Sequence, residues 1–178
     1  MTKTPGFAPI AAPDAKILIL GSLPSRLSLT NNEYYGNPQN AFWRIMGELF
    51  DAGPYLPYEQ RILQLTNNGI AVWDVLASSL RPGSMDADID EASSIANNFS
   101  AFFSKHGALD VVCFNGKKAA ALFSRLAAPE LSGEFSHISY VTLPSTSPAY
   151  AAMNFAAKLE RWSITTGGRN VSQHKNSV

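Results

Sequence analysis

Four short apolar runs constrain this chain more than any other feature. Lys16-Ile17-Leu18-Ile19-Leu20-Gly21 is continuously apolar after its lysine and stops at glycine, and similar runs occupy 70–76, 109–114 and 138–144. A strand apolar at every position, and not only at every second one, is buried on both faces, which is the habit of parallel sheets covered by crossover helices. Helical patterns lie between the runs. Phe42, Ile45, Met46 and Leu49 keep i, i+3, i+4, i+7 spacing, Ile95, Phe99, Phe102 and Phe103 nearly do, and 119–126 and 150–162 are further candidates. Strands alternating with helices of about 10 to 15 residues predict βαβ units. The expectation is an α/β fold in three layers, a four-stranded parallel sheet with helices on both faces.

With 178 residues, 46% of them hydrophobic and 16% charged, the chain can bury one sizeable core. The sequence predicts one domain over 1–163 and a polar, disordered tail over 164–178, with no internal repeat. Fourteen Lys+Arg balance fourteen Asp+Glu, so binding to a polyanion would have to rest on local placement of groups and not on bulk charge. The single cysteine, Cys113, excludes an intramolecular disulfide and a cysteine-rich metal site and reads as core packing. Residues 1–13 hold one Lys and three Pro without a long apolar core, and no run approaches the ~18 apolar residues of a spanning helix. A soluble cytoplasmic protein with no membrane partner is expected.

In parallel α/β sheets ligands bind in the crevice beyond the carboxyl ends of the strands. The loops that would converge there are 22–40, 74–88, 115–118 and 145–150. The first is long for a compact domain, which is unusual unless it binds something. These loops carry neutral polar, aromatic and hydroxyl groups, with Asp74 the main acid and Arg26, Arg81, Lys117 and Lys118 the cations. His106, His137 and His174 all fall elsewhere, so a Ser-His-Asp triad is not available. Neither Gly21-Ser22-Leu23-Pro24-Ser25 nor Gly116-Lys117 has the spacing of a phosphate-binding P-loop. What the inventory suits is a flat heterocycle: Tyr35 or Tyr34 to stack, amides and Asp74 for its polar edge, and hydroxyls for phosphate.

Five motifs in order carry a resemblance. They are Gly-x-x-Pro-Ser from Gly21, Tyr-Tyr-Gly-x-Pro-x-Asn-x-Phe-Trp from Tyr34, Trp-Asp-Val-Leu-x-Ser from Trp73 with Arg-x-Gly-Ser-x-Asp from Arg81, Phe-Asn-Gly-Lys-Lys-Ala from Phe114, and Leu-Pro-Ser-Thr-Ser-Pro-Ala from Leu143. Over roughly residues 7 to 163 the chain resembles the hypoxanthine (deoxyinosine) DNA glycosylase branch of the uracil-DNA glycosylase superfamily. That resemblance implies a four-stranded parallel sheet between helices, a monofunctional hydrolase that flips a deaminated base out of DNA and cuts its bond to deoxyribose, no metal or organic cofactor, and a monomer. DNA containing a deaminated base is the partner it implies. It also assigns catalysis to Asn40, because Leu23 stands where other branches carry a water-orienting Asn or Asp. Leu143-Pro144-Ser145-Thr146 replaces a His-Pro-Ser-Pro element, so the imidazole that steadies a departing uracil is missing. The alternatives are uracil or xanthine as the main substrate, or a homologue that binds nucleic acid without turnover.

Each candidate also has a plain structural reading. Asn40 is well placed to cap a helix. Tyr35 is either a stacking platform or a core aromatic, and Asp74 either accepts hypoxanthine's N1–H or holds a neighbouring loop amide or Arg81. With Gly21, Ser22 and Asn115 these form the expected base-binding set, although Asn115-Gly116 is by default a turn. Ser25, Lys117, Ser145, Thr146, Ser147 and Tyr150 are the candidates for the DNA backbone or for a wedge. Ser145 to Ser147 could equally cap the last helix, where hydroxyls and free N–H groups make a phosphate site without net positive charge.

Overall fold

The computed structural model describes residues 2–167. In chain order the elements are β1 (Thr4–Pro5), β2 (Ile17–Gly21), α1 (Arg26–Asn31), α2 (Phe42–Phe50), α3 (Tyr58–Asn67), β3 (Ile70–Asp74), β4 (Leu76–Ser79), β5 (Ile95–Ala96), α4 (Phe99–Lys105), β6 (Val111–Asn115), α5 (Lys117–Leu126), β7 (Ser139–Leu143) and α6 (Phe155–Trp162), with short 3₁₀ turns between several of them. All four apolar runs form the expected parallel sheet, in the order β3-β2-β6-β7.

Strand alternation divides the aromatic core in two. Leu20 pairs in register with Trp73 on one side and Phe114 on the other. On that face Trp73 meets Phe99 and Phe102 of α4, and Phe114 meets Phe123 of α5. The next row turns the other way. Gly21 faces Asp74, and Asn115 faces Leu143, at the carboxyl ends of their strands. Beyond this row stand Tyr35, stacked on Phe42 at 3.8 Å, and Trp162, whose ring meets Phe42 edge-on. Parallel register therefore delivers Gly21 and Asp74 side by side, with Asn115 at the same edge of the sheet.

Three elements depart from the periodicity. The run at 70–76 leaves the sheet after Asp74, and Leu76–Ser79 joins β1 and β5 in a small antiparallel sheet. The chain turns there as the Val75 amide donates to the carbonyl of Gly21, the last residue of β2, and the Leu76 amide to that of Ser22 just past it. Ile95 likewise lies in β5 and not in a helix. The helix starts at Phe99 because Asn98 caps it, its side chain accepting from the Ala101 amide at 2.9 Å. At the other end, α6 begins at Phe155 under an Asn154 cap and not at Tyr150, which sits in a turn.

The chain stays packed past the expected boundary at 163. A 3₁₀ turn, Ser163–Thr166, buries Thr165 and Thr166, and the Thr165 hydroxyl donates to the Trp162 carbonyl at 2.7 Å. The remainder of the expected tail, from 168 on, lies outside the described residues. Among the described residues no helix is long and apolar enough to cross a membrane.

Candidate active site

The row at the sheet's carboxyl edge is the floor of a cavity of about 470 Å³. Gly21, Asp74 and Asn115 line it with the loops 22–28, 34–40, 84–87 and 145–150. A volume of several hundred cubic ångströms is ordinary for a small-molecule pocket and holds a nucleobase.

Asp74 is buried, and its Oδ2 has no hydrogen-bond partner. Burial, then the neighbouring Asp86 carboxylate, push its acid up to about 7, with the Arg81 guanidinium opposing them. Arg81 does not pair with it directly. Its guanidinium donates to the carbonyls of Leu23 and Pro24, tying the 22–28 loop to the strand-end loop. The expected structural link from Asp74 to Arg81 is therefore through space only, and the carboxylate is left facing the cavity. Asn97 fixes the strand end from behind, donating to the Asp74 carbonyl at 2.8 Å.

Tyr35 has a left-handed backbone, with φ of 54°. For an aromatic residue that conformation costs on the order of 1–3 kcal/mol and persists only where its surroundings enforce it. They do so from both sides. The Tyr34 amide donates to the Tyr58 hydroxyl, the Tyr34 hydroxyl to the Ala8 carbonyl, and the Gly36 amide to the Ser28 hydroxyl. Tyr34 is thereby a tied core residue. The forced turn at Tyr35 lays its ring on Phe42 and leaves its hydroxyl buried without a partner. Burial first, then the Asp74 charge, raise the phenol far above its ordinary value, with the neighbouring Asn115 amide opposing. It stays protonated.

Gly21 makes this arrangement possible. A Cβ there would stand 2.5 Å from Asp74 Oδ1 and 3.2 Å from the Tyr35 hydroxyl, so any larger residue would displace the carboxylate. Next to it, the buried Ser22 hydroxyl donates to Asp86 Oδ2 at 3.0 Å.

Asn40 stands on the cavity wall just before α2. Its Oδ1 accepts from the Phe42 amide at 2.9 Å, an Asx turn one position ahead of the helix cap Ala41. The capping reading is thus correct for one lone pair. The other lone pair and the NH₂ are not engaged by that bond.

Asn115 is tied to Thr146. Its Nδ2 donates to the Thr146 hydroxyl and its Oδ1 accepts from the Thr146 amide, both at 2.8 Å. Thr146, 1% exposed, also accepts from the Ala41 amide at 2.9 Å. These two residues clamp strand end, last loop and α2 together beside Asn40. Asn115 keeps its second amide hydrogen and second lone pair beyond these bonds, whereas Thr146 is almost wholly buried and its hydroxyl is held by Asn115, too deep for a phosphate to reach. Thr146→Val should leave the buried Asn115 NH₂ without an acceptor and lower stability by about 1–3 kcal/mol in a denaturant titration. An unchanged midpoint would mean the clamp carries no weight.

The remaining candidates lie at the mouth or away from it. Ser25 caps α1, its hydroxyl accepting from the Ser28 amide at 3.1 Å. Ser145 and Ser147 accept from the amides two residues on and so hold the loop's own turns, while α6 has its cap in Asn154. Their hydroxyl hydrogens remain available at the rim. Gly116, at φ of 97°, lets the Ser145 loop approach, since a Cβ there would meet Ser145 Cβ at 3.0 Å. Tyr150 is 37% exposed on the rim, and the Lys158 ammonium reaches back to its carbonyl at 2.9 Å. Lys117 is exposed at the start of α5 and does not line the cavity. Asp86 also lines the cavity, a carboxylate to which the sequence reading gives no role. Its signal was present in the Arg81 to Asp86 motif.

A family model of the uracil DNA glycosylase superfamily matches residues 8–165. The chain belongs to that superfamily. Within it, a Methanosarcina acetivorans protein named hypoxanthine DNA glycosylase is 39% identical over 115 residues, covering 64% of this chain and 72% of the relative. A Methanosarcina barkeri protein of the same name is 37% identical over 118 residues, covering 66% and 73%. The solution NMR structure of a candidate uracil DNA glycosylase from Methanosarcina acetivorans superposes with a TM-score of 0.76 at 32% identity, covering 93% of this chain and 98% of that one. The shared superfamily fold accounts for the four-stranded parallel sheet with its helices.

Proposed function

We propose that this chain is a monofunctional DNA glycosylase, a monomer acting in the cytoplasm, that hydrolyses the N-glycosidic bond of a deaminated base, with hypoxanthine its first substrate. The observation that carries the reading is the cavity floor, where a buried carboxylate oxygen and a buried phenol both lack partners in a site of nucleobase size. Buried polar groups are almost always satisfied, so exceptions of this kind point to a ligand. The names of the Methanosarcina relatives support the choice of base.

In this reading the nucleotide is flipped out of the duplex and its base enters the cavity. The bond from C1′ to the base nitrogen breaks with its electrons leaving on the base, and the sugar becomes an oxocarbenium ion. Such a cation needs little nucleophile strength. Asn40, its carboxamide fixed by the Phe42 amide, orients a water through the unused lone pair of Oδ1, and attack at C1′ with passage of one water proton to the departed base completes the hydrolysis. Rim hydroxyls of Ser25, Ser145 and Ser147 meet phosphates, a contact that needs no excess of positive charge.

Leu23 favours one rival. It is buried on the cavity wall, where it offers only hydrocarbon, as a binding module without turnover would. A time course on a single-deoxyinosine duplex at enzyme excess separates the two. Free hypoxanthine and an abasic site are expected, with strand breakage only after alkali. Lesion binding without base release would sink the enzymatic reading.

A further inference from the structure

We infer that the Tyr35 hydroxyl, working as a pair with Asp74, reads the lactam edge of the flipped base, donating to its carbonyl oxygen while Asp74 accepts from the adjacent ring N–H. Tyr35 is then a specificity-determining hydrogen-bond donor and not a stacking platform. The inference rests on the reading of the cavity as a base pocket.

Four observations carry it. One face of the Tyr35 ring is already occupied, stacked on the fully buried Phe42 at an interplanar angle of 19°. Its hydroxyl is buried and unpartnered, as is Asp74 Oδ2. The hydroxyl and the Asp74 carboxylate both close on Gly21, where a Cβ would stand 3.2 Å from the hydroxyl and 2.5 Å from Asp74 Oδ1, so the missing side chain is what lets a donor and an acceptor lie side by side on the floor. Finally, the strained backbone at Tyr35 is what directs the hydroxyl there, and such strain is retained where it is used.

The chemistry of deamination supplies the complement. Conversion of an amino-substituted ring to a lactam replaces an exocyclic donor by a carbonyl acceptor and turns the adjacent ring nitrogen from acceptor to N–H donor. A donor at Tyr35 and an acceptor at Asp74 fit hypoxanthine at O6 and N1–H. Adenine reverses both polarities and would set its N1 lone pair against the carboxylate. A site that buries committed polar groups rejects a ligand that leaves them unpaired far more strongly than one that merely differs in size. Guanine carries the same lactam edge as hypoxanthine, so the pair sets polarity while the walls around C2 set shape.

The test compares wild type with Tyr35→Phe, which keeps the ring on Phe42 and removes only the hydroxyl. Duplexes carry hypoxanthine or unsubstituted purine, which lacks both the carbonyl and the N–H. Single-turnover excision and equilibrium binding are measured on each, with melting temperature as the check on folding. Tyr35→Phe should lower hypoxanthine excision by about 10- to 100-fold, the effect of leaving one buried acceptor unpaired, and should leave purine nearly unchanged. An equal loss on both bases, or no loss on either, overturns the inference. If wild type releases no base, the enzymatic reading fails by itself. Binding then decides the inference: a preference for hypoxanthine that Tyr35→Phe erases sustains it, and a preference that survives, or none at all, overturns it.

Discussion

Asn40→Ala is expected to slow single-turnover excision by roughly 10²–10³, the loss seen when one preorganised electrostatic partner is removed from a reacting centre. The size follows from Leu23, whose buried side chain adds only hydrocarbon to the cavity wall and cannot hold a water in place of Asn40. Because Asn40 Oδ1 also accepts from the Phe42 amide, the alanine variant should lose about 0.5–2 kcal/mol of stability as well. Asn40→Ser separates the two roles. A serine keeps a short acceptor for the helix start, so melting should recover while the rate does not. Wild-type excision by either folded variant would reduce Asn40 to a cap.

The second large effect is at Asp74. Asp74→Asn should reduce hypoxanthine excision by about 10², because a hydrogen bond to a charged acceptor is replaced by one to a neutral amide. The wild-type rate should depend on pH with one inflection near 7. Burial, with Asp86 adding to it and Arg81 opposing, holds the Asp74 acid up at about 7, so below that pH it carries a proton and cannot accept N1–H. Tyr35 and Tyr34 face the same carboxylate, but both phenols are raised and remain neutral across this range. Excision should therefore fall as pH drops through 7, and the asparagine variant should be flat there.

Stability should move the other way. Between about pH 4 and 7 the folded state holds a proton on Asp74 that the unfolded state has released, so stability declines as pH rises through this window and levels off above it. Asp74→Asn, neutral throughout, should melt higher than wild type at pH 8, with the advantage shrinking toward pH 4. A variant that melts lower at pH 8 would show that Asp74 is a structural link and not a group held ready for a ligand.

The sheet was legible because its signal is local. β2, β3 and β6 are apolar runs buried on both faces, which demands that pattern, while the edge strand β7 shows it weakly, with Ser139 and Thr142 interrupting the run and most of the strand exposed. α3 was less legible, since Leu65 is its one fully buried residue and only Tyr58 and Ile62 extend its apolar stripe, both half-buried. β1, β4 and β5 span two to four residues and exist only through pairing between distant segments. The site divides in the same way. Asp74 stood out as a lone acid in an apolar strand, and Asn40 as the amide before a helix. The Asn115 and Thr146 clamp joins positions 31 apart in sequence, and the turning of the Tyr35 hydroxyl toward the floor depends on Tyr58, Ala8 and Ser28. No spacing rule encodes either.

The selectivity proposed for this cavity is for hypoxanthine in DNA. The direct measurement is single-turnover excision by the wild-type protein from two duplexes that differ only in one residue, deoxyinosine or deoxyuridine, opposite the same base. Release of free hypoxanthine, faster than release of uracil, is the predicted result. Uracil released as fast or faster would contradict it.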